Sequence, residues 1–430
     1  MTAKTTAKVV EGNTDLEKAI YHHPRAKIQD YVPVVGRSTI EELRALAERL
    51  SGKVIQNINS TFTGGGVAEI LTRMVPLLNQ LGVDAQWTTI RGHKDFFDVT
   101  KKFHNALHGR KEDISSEDFS LFLEVSEKNI EELKFQGDIF FIHDPQPAAL
   151  IAKKKELGGK WIWRCHIDIS NPDKRVWEFV RNFVTDYDAA VFSAPNFSQE
   201  LPIRQFLISP SIDPLSDKNK ELSSETIDSV LNKYGLDKDK PIIAQISRFD
   251  YLKDPIGVIQ AFEMVRKSID CQLVLAGGTA TDDPESEKVL EEVRERASGK
   301  PDIHILLIPP ESDIEINALQ QAATVILQKS IKEGFGLTVT EALWKGKPVV
   351  ASAVGGIQLQ VKNKLTGLLC HSVEGAAYAV KRLLSNREYA AWLGKNAREH
   401  VRQNFLITRH LKDYLLLFIS LYYNSDEIYL

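Results

Sequence analysis

Cysteine is scarce, a basic surplus is missing and no long apolar run occurs, and each shortage removes a class of function. Only Cys165, Cys271 and Cys370 occur among 430 residues, far apart and without metal-ligand spacing. They read as reduced thiols, so a cytoplasmic protein without a disulfide framework is expected. The formal net charge of −4 lacks the basic excess of a nucleic-acid binder. The basic run "KKK" at 153–155 reads as a solvated helix face and not as a membrane patch. The longest apolar stretch, "YLLLFISLYY" at 414–423, is half of the ~20 residues that span a bilayer. The opening "MTAKTTAKVVEGNTD" has no apolar segment after its lysines, so no signal peptide is expected.

What is present is a long alternation of apolar runs and amphipathic stretches. The length exceeds one ordinary core, so two domains are expected. Residues 1–37 are irregular, and Thr39 reads as the N-cap of a helix, with Glu42 three residues on. Strands are expected at 54–60, 138–143, 161–168 ("WIWRCHID") and 188–195, with a helix "VAEILTRMVPLLNQLG" that Pro76 should kink, or whose ladder it should break, and that Gly82 should stop. The segment 207–225 breaks the pattern and marks a domain junction. A second series of strands follows at 241–247, 271–278, 303–309, 324–330 and 347–352. The expected fold is α/β, with two doubly wound Rossmann-like domains facing across a cleft. We divide them as 1–212 and 213–385, with helices in 386–430 packing back on the first domain.

In such sheets ligands bind beyond the carboxyl ends of strands, so residues just after strands draw the attention. "EGFGLTVTEALWKG" follows the strand 324–330 and carries Glu333 and Glu341 around the turn glycines Gly334 and Gly336. Gly346 reads as the residue that ends a short helix from Leu337 to Lys345. Free N–H groups at such a helix start favour an anion. Glu341 can accept two hydrogen bonds from a ribose diol, and Glu333 can reach the other end of a sugar nucleotide. Taken alone, Glu341 serves equally to complement the helix dipole. "SRFDYLKD" places Arg248 and Lys253 after another strand, two cations suited to a diphosphate. "NSTFTGGGVAEI" is a further glycine loop opening a helix. "DYD" at 186–188 fits a metal-binding pattern but precedes its strand and reads as a turn.

Together these residues resemble the retaining GT-B glycosyltransferases of the glycogen-synthase-like group 1 class. "EGFGLTVTEAL" matches that class's E-x7-E motif and "SRFDYLKD" its Arg-x4-Lys pair, with Asp254 where glycine is usual. "NSTFTGGGVAEIL", "FHNAL", "HDPQPAAL", "WRCHIDIS" and "PSIDPLSDKN" narrow the resemblance to trehalose-synthesising glycosyltransferases, over about residues 39–410. The resemblance implies that Arg248 and Lys253 neutralise the donor diphosphate and Glu341 holds its ribose. It implies that Glu333, with the N–H groups of Gly334, Phe335, Gly336 and Leu337, holds the transferred glucose. Gly64, Gly65 and Gly66 approach the phosphates, His166 sits by the reacting glucose, and Asp168, His143, Asp144 and Gln146 line the acceptor side. A lone histidine at a strand end is otherwise often structural. On a strand, His166 and Asp168 would point to the same side.

The implied reaction moves glucose from ADP-glucose or UDP-glucose to glucose, forming trehalose reversibly and with retention. No metal or other cofactor is expected, since the two cations serve the diphosphate. The partners are small sugars and nucleoside diphosphate, with no nucleic acid and no membrane, and the resemblance implies a homodimer. Alternatives are a retaining trehalose phosphorylase using phosphate and glucose 1-phosphate, another hexosyltransferase of this type, a GT-B-like epimerase, and a nucleotide-sugar-binding regulator without turnover.

Overall fold

The structure is a computed structural model that describes residues 26–62, 65–278, 284–309 and 311–425. It divides into two compact units, one running through Pro210 and resuming at Ile407, the other Ser211–Leu406. Each is built on one six-stranded sheet, and every strand pair within them is parallel.

The first sheet contains β1 (Val54–Asn59), β2 (Asp84–Thr89), β3 (Ile139–His143), β4 (Lys160–Arg164), β5 (Ala189–Phe192) and β6 (Arg204–Leu207). Their order is β2-β1-β3-β4-β5-β6, so the winding reverses between β1 and β3. "IFFIH" is buried at every position, as a strand covered on both faces must be. β2 was not expected from the sequence. Its "DAQWTT" pattern is only half-buried, because it is an edge strand.

Two expectations are corrected by the structure. The strand expected at 161–168 stops at Arg164. The next residue still donates to β5, Cys165 N to Val191 O at 2.9 Å, but His166 N turns to the Asp144 carboxylate at 2.7 Å. His166 and Asp168 therefore share no strand face. Thr39 is not an N-cap. Its helix, Arg37–Glu48, begins after Gly36 at φ +86°, and the Thr39 hydroxyl donates back to Val35 O. The helix Gly65–Gln80 continues across Pro76.

The second sheet holds β7 (Ile242–Ile246), β8 (Gln272–Gly277), β9 (Ile303–Leu307), β10 (Val325–Gln328), β11 (Val349–Ser352) and β12 (Leu368–Cys370). Read from one edge the order is β9-β8-β7-β10-β11-β12, the doubly wound arrangement with its reversal between β7 and β10. Ile243, Leu273, Leu275, Val325 and Leu327 pack with Val258, Phe262 and Val380 in its core.

The tail does not stay together. Helix Arg387–Asn404 belongs to the second unit, where Gly394 and Gly346 approach so closely that a Cβ on Gly394 would lie 1.9 Å from Gly346 O. Helix Ile407–Tyr422 belongs to the first unit, with Tyr414 and Phe418 edge-on against Phe141 of β3 at 4.9 and 5.4 Å. The run "YLLLFISLYY" is thus a core helix. No helix among the described residues is long and apolar enough to cross a membrane.

Candidate active site

In the second unit, the loops after β7 and β10 flank the reversal of winding. Arg248 follows β7 and stays largely exposed, with the Asp250 carboxylate 3.5 Å from its guanidinium. Asp250 also accepts from Leu252 N at 2.7 Å, which folds the turn Tyr251–Lys253. Gln245, buried in β7, donates to the Lys253 carbonyl at 2.7 Å. The Lys253 ammonium lies 2.6 Å from Glu333 Oε2, and the Ser330 hydroxyl reaches the same oxygen at 3.2 Å. Ile331 N donates to Leu252 O at 2.8 Å, tying the two loops together. The Arg-x4-Lys and E-x7-E segments, eighty residues apart, therefore meet at one ion pair.

Asp254 explains its own departure from glycine. Its φ of +48° lies in the left-handed region that glycine adopts freely and Asp tolerates. The Asp side chain then accepts from Gly257 N, capping helix Pro255–Arg266, and pairs with Lys329.

After Glu333 the chain turns through Gly336 at φ +81° into helix Leu337–Trp344. Gly346, at φ +68°, follows that helix as the sequence led us to expect. The N–H groups of Gly334, Phe335, Gly336 and Leu337 donate to no described protein atom. The Phe335 ring packs against Phe405 with centroids 5.7 Å apart, so its backbone N–H is the polar group left open. A pair of residues missed in the sequence supports this turn. Gly355, at φ +48°, runs so close to Glu333 that a Cβ would sit 1.7 Å from its carbonyl oxygen, and Gly356 N donates to Gly334 O at 3.0 Å. The signal was available: "GG" soon after a strand, as in the other glycine loops.

Glu341 is buried in the same helix. One oxygen accepts from Gln320 at 3.3 Å, and Gln320 in turn accepts from the Lys345 ammonium at 2.7 Å. Lys345 also reaches Asn219 Oδ1 at 3.2 Å. Burial lowers the Lys345 pKa to about 8, with Glu341 opposing the shift and Lys218 adding to it. Neither Gln320 nor Lys345 carries a motif that would have singled it out.

In the first unit, Gly64 lies outside the described residues. Gly65 opens helix Gly65–Gln80, and Gly66 has open space where a Cβ would be. His143 closes β3 and is buried, with both ring nitrogens engaged: Nδ1 at 3.0 Å from His166 Nε2 and Nε2 at 3.2 Å from Asn57 Oδ1. Neither ring nitrogen of His143 is left for a ligand, which counts against the acceptor-side place expected for it. Asp144, at φ +68°, clamps the His166 backbone. Burial raises its carboxyl to about 6 against the opposing effects of the His166 N–H and Arg164. Gln146 Oε1 is buried with no hydrogen-bond partner, an orphaned acceptor that a ligand hydroxyl would satisfy. Asp168 is buried, and one oxygen accepts from Ser170 N at 2.9 Å.

Arg164 was also missed. It is fully buried, with Nη2 donating to Ser193 Oγ at 3.1 Å and Ile208 O at 2.7 Å. Burial pushes His166 well below the ordinary histidine range, and Arg164, His143 and His410 push it further. His166 is thus a neutral imidazole. Asp188 of "DYD" sits before β5 and accepts from Trp161 N at 2.7 Å, the part of a turn residue. Among the described residues no three His, Cys, Asp or Glu side chains converge as a metal site.

Residues 57–199 match the family described as trehalose synthase, N-terminal domain, and residues 227–400 match glycosyl transferases group 1. A trehalose synthase from Thermococcus litoralis is 45% identical over 395 residues, covering 90% of this chain and 96% of that protein. The chain belongs to the trehalose synthase family. A trehalose phosphorylase from Grifola frondosa is more distant, 30% identical over 431 residues, covering 87% of this chain and 58% of that one. Among solved structures, trehalose-6-phosphate from E. coli bound with UDP-2-fluoro glucose aligns at TM-score 0.69 and 13% identity, covering 85% and 99% of the two chains. The fold is GT-B, and the trehalose synthase family and group 1 matches make this chain a hexosyltransferase.

Proposed function

We propose that this family member transfers glucose from a nucleoside-diphosphate glucose, ADP-glucose or UDP-glucose, to glucose, forming trehalose reversibly and with retention. The observation that carries the reading is the Lys253–Glu333 pair at the winding reversal of the second sheet. It joins the loop that carries Arg248 and Lys253 to Glu333, beside the unengaged N–H groups of residues 334–337, which supports a diphosphate and a sugar binding side by side. Arg248 and Lys253 would take the charge that grows on the leaving diphosphate. Glu333 and the turn N–H groups would hold the glucosyl hydroxyls, and Glu341 the ribose. Gln146, Asp144 and Asp168 would bind the acceptor.

Retention is reached by departure and attack on one face of the sugar, with a leaving phosphate oxygen taking the acceptor proton. A covalent route would need a carboxylate nucleophile on the other face. Asp168 already has one oxygen engaged by Ser170 N, and Glu333 is held by Lys253 and Ser330. A neutral His166 would stabilise positive charge on the glucosyl ring and would not act as a base. We further propose a cytoplasmic homodimer.

The test is incubation with ADP-glucose or UDP-glucose and glucose, with the disaccharide identified by NMR. α,α-Trehalose is expected, and its breakdown should require nucleoside diphosphate. Breakdown supported by phosphate alone would make the chain a phosphorylase.

A further inference from the structure

The ring pair His143–His166 is more than a packing contact. Its planes are 21° apart with centroids at 5.3 Å, while the facing nitrogens are 3.0 Å apart. The rings therefore meet edge to edge, nearly in one plane, in a single N–H···N hydrogen bond. Such a bond has a direction, and the neighbours set it. Asn57, buried in β1, donates its amide nitrogen to Gln86 O at 3.1 Å. Its oxygen must then face His143 Nε2, since the reversed amide would set oxygen against the Gln86 oxygen. His143 Nε2 therefore carries the hydrogen. His143 is neutral, because burial and then Arg164 lower its pKa to about 3. Its Nδ1 is left with a lone pair, and His166 Nε2–H donates to it. His166 Nδ1 is then without a hydrogen. Among the described residues it bonds to nothing, and it is not one of the buried unpaired atoms. His166 also retains partial exposure.

We propose that Asn57 and His143 are positioning residues that lock His166 as the Nε2–H tautomer and present its Nδ1 as a bare acceptor to a sugar hydroxyl. The sugar part of this statement rests on the proposed function; the tautomer does not. The relay crosses three neighbouring strands, with Asn57 within β1, His143 ending β3 and His166 just past β4, and so spans the winding reversal of the first sheet. Two charged groups lie close by. Arg164 disfavours a proton anywhere on the relay, and Asp144 holds the His166 backbone. A second tautomer would turn His166 Nδ1 into a donor and set it against any hydroxyl already donating there.

The experiment is two-bond 1H–15N correlation on the free enzyme labelled with 15N-histidine, with His166 assigned by loss of its signals in His166→Asn. We expect a pyrrole-type Nε2 and a pyridine-type Nδ1 on both His143 and His166. The reverse pattern on His166 overturns the proposal, whether or not the protein makes trehalose. Function is then read with two substitutions. His143→Gln can still donate to Asn57 and accept from His166, whereas His143→Leu can do neither. His143→Leu should lose roughly 10- to 100-fold in kcat, with His166 showing mixed tautomers, and His143→Gln should recover most of that loss. Equal activity in the two variants would mean that His143 only fills space. If His143→Leu does not fold, Asn57→Leu decides. It removes the acceptor that holds the hydrogen on His143 Nε2, so His143 should carry its hydrogen on Nδ1 and turn His166 to the Nδ1–H form, and an unchanged His166 spectrum would refute the relay.

Discussion

Replacing Lys253 by Met separates stability from catalysis at the centre of the site. Glu333 is nearly buried, and its carboxylate has two partners, the Lys253 ammonium at 2.6 Å and the Ser330 hydroxyl at 3.2 Å. Removing the ammonium leaves a desolvated charge with one hydroxyl. Breaking a buried pair in this way costs about 3–5 kcal/mol. The side chains retain 18% and 9% exposure, so water recovers part of that cost and ~2–3 kcal/mol is the better figure. For a unit of this size the loss lowers Tm by roughly 5–10 °C. Glu333→Gln added to Lys253→Met should restore most of the stability, because a neutral amide needs no counter-charge and still accepts from Ser330. Activity should not return, since a bound diphosphate would still lack Lys253; Lys253→Met should lose roughly 10- to 150-fold in kcat/KM, and the double variant, without the Glu333 carboxylate as well, at least as much. Calorimetric melting and initial rates on the three proteins suffice. A double variant no more stable than Lys253→Met would refute the argument, as would a Lys253→Met protein that melts with wild type.

Four further outcomes are expected. Arg248→Ala should slow turnover by roughly 10- to 150-fold with Tm unchanged, since the side chain is mostly exposed; wild-type rates would remove it from the diphosphate site. Glu341→Gln should weaken nucleoside diphosphate binding more than glucose binding by calorimetry, whereas equal losses would mark Glu341 as structural. His166→Ala should cut kcat without removing a limb near pH 6.5, because His166 is held well below that range; loss of such a limb, or a glucosyl adduct on Asp168 or Glu333 by mass spectrometry, would restore the base or covalent route. Lys345 has a folded pKa of about 8 against 10.5 unfolded, so between these values the unfolded chain binds the extra proton and stability rises with pH. The wild-type stability minus that of Lys345→Met should therefore grow by about 3 kcal/mol from pH 8 to 10.5, measured by denaturant melts, and a flat difference would contradict the shift.

The sequence alone determined the alternation of strands and helices, the glycine turns and the candidate residues that follow strands. These depend on near neighbours: apolar runs such as "IFFIH" bury on both faces of a parallel sheet, and a helix starting at Leu337 with Gly346 after it is a local pattern. Edge strand β2 was lost because its half-buried "DAQWTT" has no continuous apolar run. The end of β4 was misjudged because a carboxylate 22 residues away takes the His166 N–H, which propensity cannot register. Tertiary structure decided which partners meet. Lys253 and Glu333 are brought together by the crossing from β7 to β10, and Asn57, His143 and His166 by the strand order β1-β3-β4. It also divided the tail, sending Ile407–Tyr422 to Phe141 and keeping Arg387–Asn404 on Gly346. Hydrogen bonds and ion pairs act over a few ångströms in space, and chain distance carries no record of them until the sheets are wound.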